Sequence, residues 1–529
     1  MHMPEWLARR AADRPAALAV IDAAAGVRWT FAELDAQVAV LAGHLANLGI
    51  APGDRVAVLL PNGARYVALI HALTRLGAVL VPLNLRLAAS EIAWQLTFAR
   101  ARALVHDGTT DTLARAATEA PTTIPLIPLD CLPVPGASPA GFVGGEPSRL
   151  NLEAVQCLIF TSGTTGRPKG VLLTYGNQWW SAMGSVLNLG LRENDRWLAC
   201  LPLFHVGGLA IVMRAVIYGI PLVLPRRSHD GRGFDAAAVS ETISSERVSL
   251  VSVVTVMLQR LLAHWGDDPH SDSLRCALLG GGPVPAALLE ACAERGLPVA
   301  QSFGMTETAS QVAALSPADA LRKLGSAGRP LLPNQIAIRP FDDQSGTGGA
   351  SGELEGEILV RGPSVTPGYL GADGDLARPL PAVDEHGWLH TGDMGRLDHE
   401  GYLYVLDRRA DLIITGGENV SPAEVEAVLL SHPGIAEAGV FGIPDAQWGQ
   451  RVAAAIVAPV AVILDPEEIR TFCRSRLAGY KVPSQVVCVA ELPRNAAGKL
   501  LRRRLRDDSP PAVDPNPTTS GIGGPPASE

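Results

Sequence analysis

Between residues 30 and 84 the apolar positions change their spacing repeatedly. In TFAELDAQVAVLAGHLANLG they recur every three to four residues, which predicts an amphipathic helix with Thr30 as its N-cap. RVAVLLP then forms an unbroken apolar run of strand length, and ARYVALIHALTRLGAVLVPLN repeats the sequence of helix and strand. Such alternation predicts a layered α/β domain. Farther on, LRCALLGGGPVPAALLEACAERGLPVAQSFGMTETAS reads as strand, glycine turn, helix and strand, a β-α-β unit whose first strand ends at Gly280, Gly281 and Gly282.

The texture changes near Asp407. RRADLIITGGENVSPAEVEAVLLSHPGIAEAGVFGIPD is a compact strand–turn–helix–strand pattern in which Ser421 and Glu424 are placed for a capping box. The expected fold is therefore α/β, with a large N-terminal domain of several layered subdomains over 1–406, a linker at 407–411 and a small α+β domain over 412–506. Residues 130–150 are rich in Pro and Gly and read as a loose excursion. Residues 507–529 lack aromatics and read as a disordered tail.

Composition narrows the chemistry. A chain of 529 residues exceeds what one core supports, and 47% hydrophobic with 18% charged residues fits a well-buried enzyme. A net charge of −9 argues against a nucleic-acid partner. The longest apolar stretch, Leu209 to Leu224, is broken by Arg214 and Pro221 and predicts a buried segment, not a membrane span. Seven scattered cysteines without a C-x-x-C pair point to a reducing, cytoplasmic setting. Nothing in the pattern decides between a monomer and a homo-oligomer.

The candidate chemistry begins after the apolar run VQCLIF. TSGTTGRPKG offers backbone N–H groups, hydroxyls and Lys169 to an anion, and phosphate is the first expectation. It is not a Walker loop: counting from Gly163, Pro168 stands where the second glycine is required, and Gly170 follows the lysine. The following GVLLTYGN is strand-like, so the loop reads as a strand–loop–strand clamp, with a surface hairpin as the alternative. Thr306 and Glu307, at the end of FGMTE, pair a hydroxyl with a carboxylate. They suit a phosphate oxygen and its Mg²⁺, or else a helix cap. Asp393 in GWLHTGDMG is expected on a tight turn, where it could accept both hydroxyls of a ribose. Lys499 in PRNAAGKLLRRRLR stands just past a glycine, at what could also be a basic helix end.

Together these stretches resemble the acyl-adenylate-forming superfamily, which includes acyl-CoA synthetases, over about residues 1 to 506. The resemblance implies that Thr161, Ser162, Gly163, Thr164, Thr165, Gly166 and Lys169 hold the phosphates of ATP. It implies that Gly280, Gly281, Gly282, Phe303 and Gly304 hold adenine, and that Glu307 binds Mg²⁺ beside Thr306. Asp393 and Arg408 would bind ribose, and Lys499 would be catalytic. It further implies a mobile small domain, ATP and Mg²⁺ as requirements, and coenzyme A as acceptor of the acyl group. The family's hinge residue, usually Asp or Lys, is matched here by Ala410.

Stretches outside the ATP motifs speak to the acid. TYGNQWWSAMGSVLNLGL, PLFHVGGLAIVMRAVIYG, SLVSVVTVMLQRLL and GMTETASQVAALSP resemble the o-succinylbenzoate:CoA ligases of menaquinone biosynthesis. The alternatives are another acyl- or aryl-CoA synthetase and a catalytically silent nucleotide-binding homologue. His205 matches the segment that gates the acyl pocket in the family, against a buried structural histidine. Arg214, just beyond, is a candidate for reading a second carboxylate on the substrate, against a buried salt bridge or a snorkelled surface residue.

Overall fold

The computed structural model describes the chain apart from residues 120–123, 133–148, 162–166, 227–233, 267–270, 282–283, 285, 341–354, 408–411, 459–463, 494–499, 501 and 508–529. The expected loose excursion and tail therefore fall almost wholly outside the described residues, as does the linker from Arg408 onward.

Thr30 opens the Phe31–Asn47 helix through a capping box: its hydroxyl accepts the Glu33 N–H at 3.2 Å, and the Glu33 carboxylate accepts the Thr30 N–H at 2.8 Å. That helix packs on Ala64–Leu76, and both lie among strands of two large sheets. One sheet places the parallel strands Val79–Pro82, Arg55–Leu59 and Ala103–His106 beside Val155–Thr161. The other runs through Leu250–Val253, Cys276–Leu279 and Val299–Met305 in parallel, then turns back through the antiparallel Ser310–Ala314. Side chains from both sheets and from the intervening helices share one apolar cluster, which makes the layered α/β architecture a physical unit. The apolar stretch at 209–224 resolves into the buried helix Val206–Tyr218 and the strand Leu222–Leu224. Among the described residues, no helix is long and apolar enough to cross a membrane.

An antiparallel sheet of Gln335–Pro340, Glu355–Arg361, Leu389–Leu397 and Leu403–Asp407 follows. Sheet membership changes after Asp407: Ile413–Thr415 pairs with Glu418–Val420 and Gly449–Val457, around a separate core that includes Ile413, Val425 and Val440.

Two local expectations are corrected. The strand predicted through GVLLTYGN ends at Thr174, because Thr174 and Asn177 exchange side-chain bonds with each other's N–H and start the helix Tyr175–Leu189. Ser421 stands at the N-cap of Pro422–Leu430, but its side chain caps nothing and no capping box forms. The carboxylate expected to complete it, Glu424, is drawn instead to the buried Lys481 ammonium at 2.8 Å.

The turn from parallel to antiparallel strands depends on Gly304. A Cβ there would lie 1.9 Å from the Ser310 carbonyl oxygen. Gly304→Ala should therefore cost about 1–3 kcal/mol of stability, as overpacking of a close-packed site does, read from the urea midpoint at unchanged slope. An unchanged midpoint would mean that the two strands can separate freely.

Candidate active site

The strand ends of the large domain and the first turn of the small domain enclose a cavity of about 560 Å³, in the range that takes a small-molecule ligand. Thr161, Gly280, Gly281, Gly304, Thr306, Glu307, Asp393, His205 and Arg214, all singled out above, line it. Lys169 stands behind this wall. Its ammonium lies 5.2 Å from the centre of the Tyr369 ring, and the Tyr369 hydroxyl donates to Glu307 at 3.1 Å. Phe303 does not line the cavity; its ring is buried with Val312 and Val360. Ser162, Gly163, Thr164, Thr165, Gly166, Gly282, Arg408 and Lys499 lie outside the described residues.

Glycine is required where the first βα turn meets the cavity: Gly281 has φ +85°, and a Cβ on Gly280 would sit 2.8 Å from Ser302 Oγ. Thr306 and Glu307 follow directly from the next strand, Val299–Met305, in a short 3₁₀ turn. Burial pushes the Glu307 carboxyl above its ordinary pKa, and Asp393 adds to the rise, while Tyr369 and Lys169 pull the other way. A carboxylate that burial destabilises, beside a threonine hydroxyl, suits a hard cation that takes its remaining ligands from phosphate and water.

Asp393 is not on a tight turn as expected. It sits within the long strand Leu389–Leu397, where Glu357 and Leu359 pair with Met394 and His390 and leave the intervening residues as a bulge. Gly392, at φ +73°, makes the bulge possible, and the Glu357 carboxylate accepts its N–H at 3.1 Å. The irregularity presents Asp393 to the cavity from a rigid element.

His205 and Arg214 belong to one element, the helix Val206–Tyr218 and its N-cap. His205 precedes it and is 40% exposed, which removes the buried structural reading. Its Nε2 lies 3.0 Å from Glu418 of the small domain. Arg214 is 2% exposed, yet among the described residues no carboxylate pairs with it, so neither the salt bridge nor the snorkelled surface residue applies. Its Nη2 donates to Ser181 Oγ at 3.1 Å, its guanidinium lies 5.6 Å from the centre of the Trp197 ring, and its Nε has no acceptor among the described residues. Burial lowers its pKa, but a guanidinium stays protonated at neutral pH. The cavity thus holds, at Arg214, a cation that no carboxylate pairs with among the described residues and, at Glu307, a carboxyl whose burial opposes its ionisation.

Sequence reasoning missed the small domain's share of the wall: Gly416, Gly417, Glu418 and Asn419. The GGEN run ahead of a helix was the available signal. Burial would raise the Glu418 carboxyl, but His205, Arg86 and Lys481 outweigh it and hold it below the ordinary value.

Comparison with known proteins agrees with this geometry. Residues 7–370 match the family model described as AMP-binding enzyme, and residues 424–499 match the AMP-binding enzyme C-terminal domain. A 2-succinylbenzoate–CoA ligase of Geobacillus kaustophilus is 48% identical over 505 residues, covering 95% of this chain and 97% of that protein. The o-succinylbenzoate CoA synthetase of Bacillus subtilis, as a double mutant bound with its product analogue OSB-NCoA, is 41% identical with a TM-score of 0.84 over 96% of this chain and 99% of that one. The same B. subtilis enzyme with ATP and magnesium superposes at 0.67, at 41% identity over 96% of this chain and all of that one.

Because the folded pKa of Glu307 is raised, its contribution to stability is greatest below the unfolded pKa and is lost as pH rises through the folded one. Ionising this buried carboxyl therefore costs the ligand-free protein stability. Glu307→Gln should then raise Tm without ligand, while weakening Mg²⁺-dependent ATP binding by at least about tenfold. A lower Tm, or unchanged Mg²⁺ dependence, would contradict this reading of Glu307.

Proposed function

The chain belongs to the AMP-binding enzyme family, and from that premise we propose that it is an ATP-dependent acid:CoA ligase whose acid is o-succinylbenzoate. In the first step a carboxylate oxygen of the acid attacks the α-phosphorus of ATP and pyrophosphate leaves. In the second, the thiol of coenzyme A attacks the acyl carbonyl and AMP leaves. Oxide is no leaving group and AMP is, which is the reason for the first step.

The chain's own residues bind and orient. Thr161, Lys169 and the residues between them in TSGTTGRPKG hold the phosphates, whose developing negative charge calls for hydrogen-bond donors and a cation. Gly280, Gly281, Gly282 and Gly304 form the adenine side, with Phe303 buried behind the wall, and Asp393 with Arg408 takes the ribose hydroxyls. Glu307 and Thr306 would hold Mg²⁺, which supplies Lewis-acid stabilisation of phosphoryl oxygens when bound. Lys499 neutralises charge in the pentacoordinate transition state. Seven free thiols fit a cytoplasmic enzyme.

One observation carries the choice of acid: the buried, unpaired Arg214 guanidinium in the cavity wall. o-Succinylbenzoate has two carboxylates. While the succinyl one is adenylated, the aromatic one needs a partner, and a guanidinium supplies it directly or through water. The relatives named above for this acid support the same reading.

Pyrophosphate release should be measured with ATP and a panel of o-succinylbenzoate, benzoate and fatty acids. The diacid should be preferred, and Arg214→Ala should raise its KM by about tenfold or more with KM for ATP unchanged, the cost of losing a charge-assisted bond. Arg214→Lys should recover only part, since an ammonium lacks the guanidinium fork. Equal activity with fatty acids, or an alanine variant that keeps its KM for the diacid, would sink the assignment.

A further inference from the structure

Lys481 lies outside the cavity and is 4% exposed, an unusual place for an ammonium. It belongs to the short turn Gly479–Lys481 of the small domain, and two carboxylates hold it. Glu91 of the large domain stands at 2.6 Å, and Glu424 of the small domain at 2.8 Å. Around this contact Ala478 is buried in an apolar cluster of the large domain, and Asn84 lies 3.4 Å from the Tyr480 hydroxyl.

We propose that Lys481, gripped between Glu91 and Glu424, is a positioning residue that holds the small domain in the orientation used for the second, thioester-forming step. The proposal rests on the two-step reading above. The chain is closer in overall superposition to the relative's structure with a CoA product analogue than to that with ATP and magnesium, a difference between those two structures. The contact seen here therefore belongs to the first of these arrangements.

The chemistry suits a latch that reopens. A buried pair broken by removing one partner leaves a stranded charge. Here neither side is stranded on separation. Glu424 travels with Lys481 in the same domain, and Glu91 keeps the Ala88 N–H, which it accepts at 2.8 Å as the cap of the helix Ala89–Ala99. While docked, the group carries two carboxylates to one ammonium, and among the described residues Glu424 Oε2 has no donor. The charges hold the small domain and also limit how firmly they do so. The same helix carries Trp94, whose ring centre lies 5.5 Å from the Arg167 guanidinium, directly after the phosphate-loop residues. One helix thus touches both the loop of the first step and the domain contact assigned to the second.

Glu91→Gln keeps the cap acceptor and removes the charge. In single-turnover experiments it should leave acyl-adenylate formation within about twofold and slow thioester formation from supplied acyl-adenylate and coenzyme A about tenfold to hundredfold, the range of a coupling between sites. Lys481→Met should give the same split. Should that variant fail to fold, Glu91→Gln alone decides. Hydrogen exchange across Ala89–Ala99 and Gly479–Lys481 should quicken in Glu91→Gln, a readout that requires no turnover. Equal loss in both steps, an unchanged second step or unchanged exchange would overturn the latch. A wild-type protein that adenylates no acid would instead sink the proposed function, with the exchange result still deciding the contact.

Discussion

A guanidinium buried without a carboxylate is the constraint on which the acid end of the cavity depends. Arg214 sits on an otherwise apolar helix, where an unpaired charge is costly, and the surrounding chain offsets only part of that cost. Ser181 gives one hydrogen bond and Trp197 a π face, and Nε is left over. Glu307, on another part of the wall, is the mirror case: a carboxylate whose burial opposes its ionisation. The two are not paired with each other. The folded chain therefore keeps a cation without a carboxylate partner and a carboxyl reluctant to ionise apart from each other, an arrangement that suits a ligand with an anion at one end bound together with a cation at the other.

The second constraint is that no single domain closes the cavity. Strand ends of the large domain supply Gly280, Thr306 and Asp393, and the turn before Pro422–Leu430 supplies Gly416 and Glu418. Glu418 is held ionised in a buried position by His205 and Arg86 of the large domain together with Lys481. Its charge state is thus a property of the docked arrangement, so the electrostatics of the site and the position of the small domain are one variable. Lys481 and Glu91 bear on that variable from outside the cavity.

What was legible in the sequence followed local rules. The Thr30 cap, the strand after its helix and the β-α-β unit ending in FGMTE are set by spacing, capping and turn chemistry within a few residues, and the structure has them where expected. The failures came where a tertiary partner outbid a local one. Glu424 had the spacing of a capping box and went to Lys481 instead, and Asp393 read as a turn because a bulge and a turn share the Thr-Gly-Asp texture. The roles of Glu418 and Lys481 depend on His205 and Glu91 of the other domain, hundreds of residues away, so beyond the GGEN run before a helix the sequence offered no local sign of them. Arg214 was visible as a break in an apolar run, but its lack of a counter-ion could be seen only in three dimensions.

The most direct test of the account compares o-succinylbenzoate with the monoacid that keeps its succinyl chain and aromatic ring but lacks the aromatic carboxylate. If Arg214 is held for that carboxylate, kcat/KM in the wild type should favour the diacid by about tenfold to hundredfold, and Arg214→Ala should close most of the gap through loss on the diacid alone, as a coupled pair does in a double-mutant cycle. A gap that survives in Arg214→Ala, or equal losses on both acids, would contradict it.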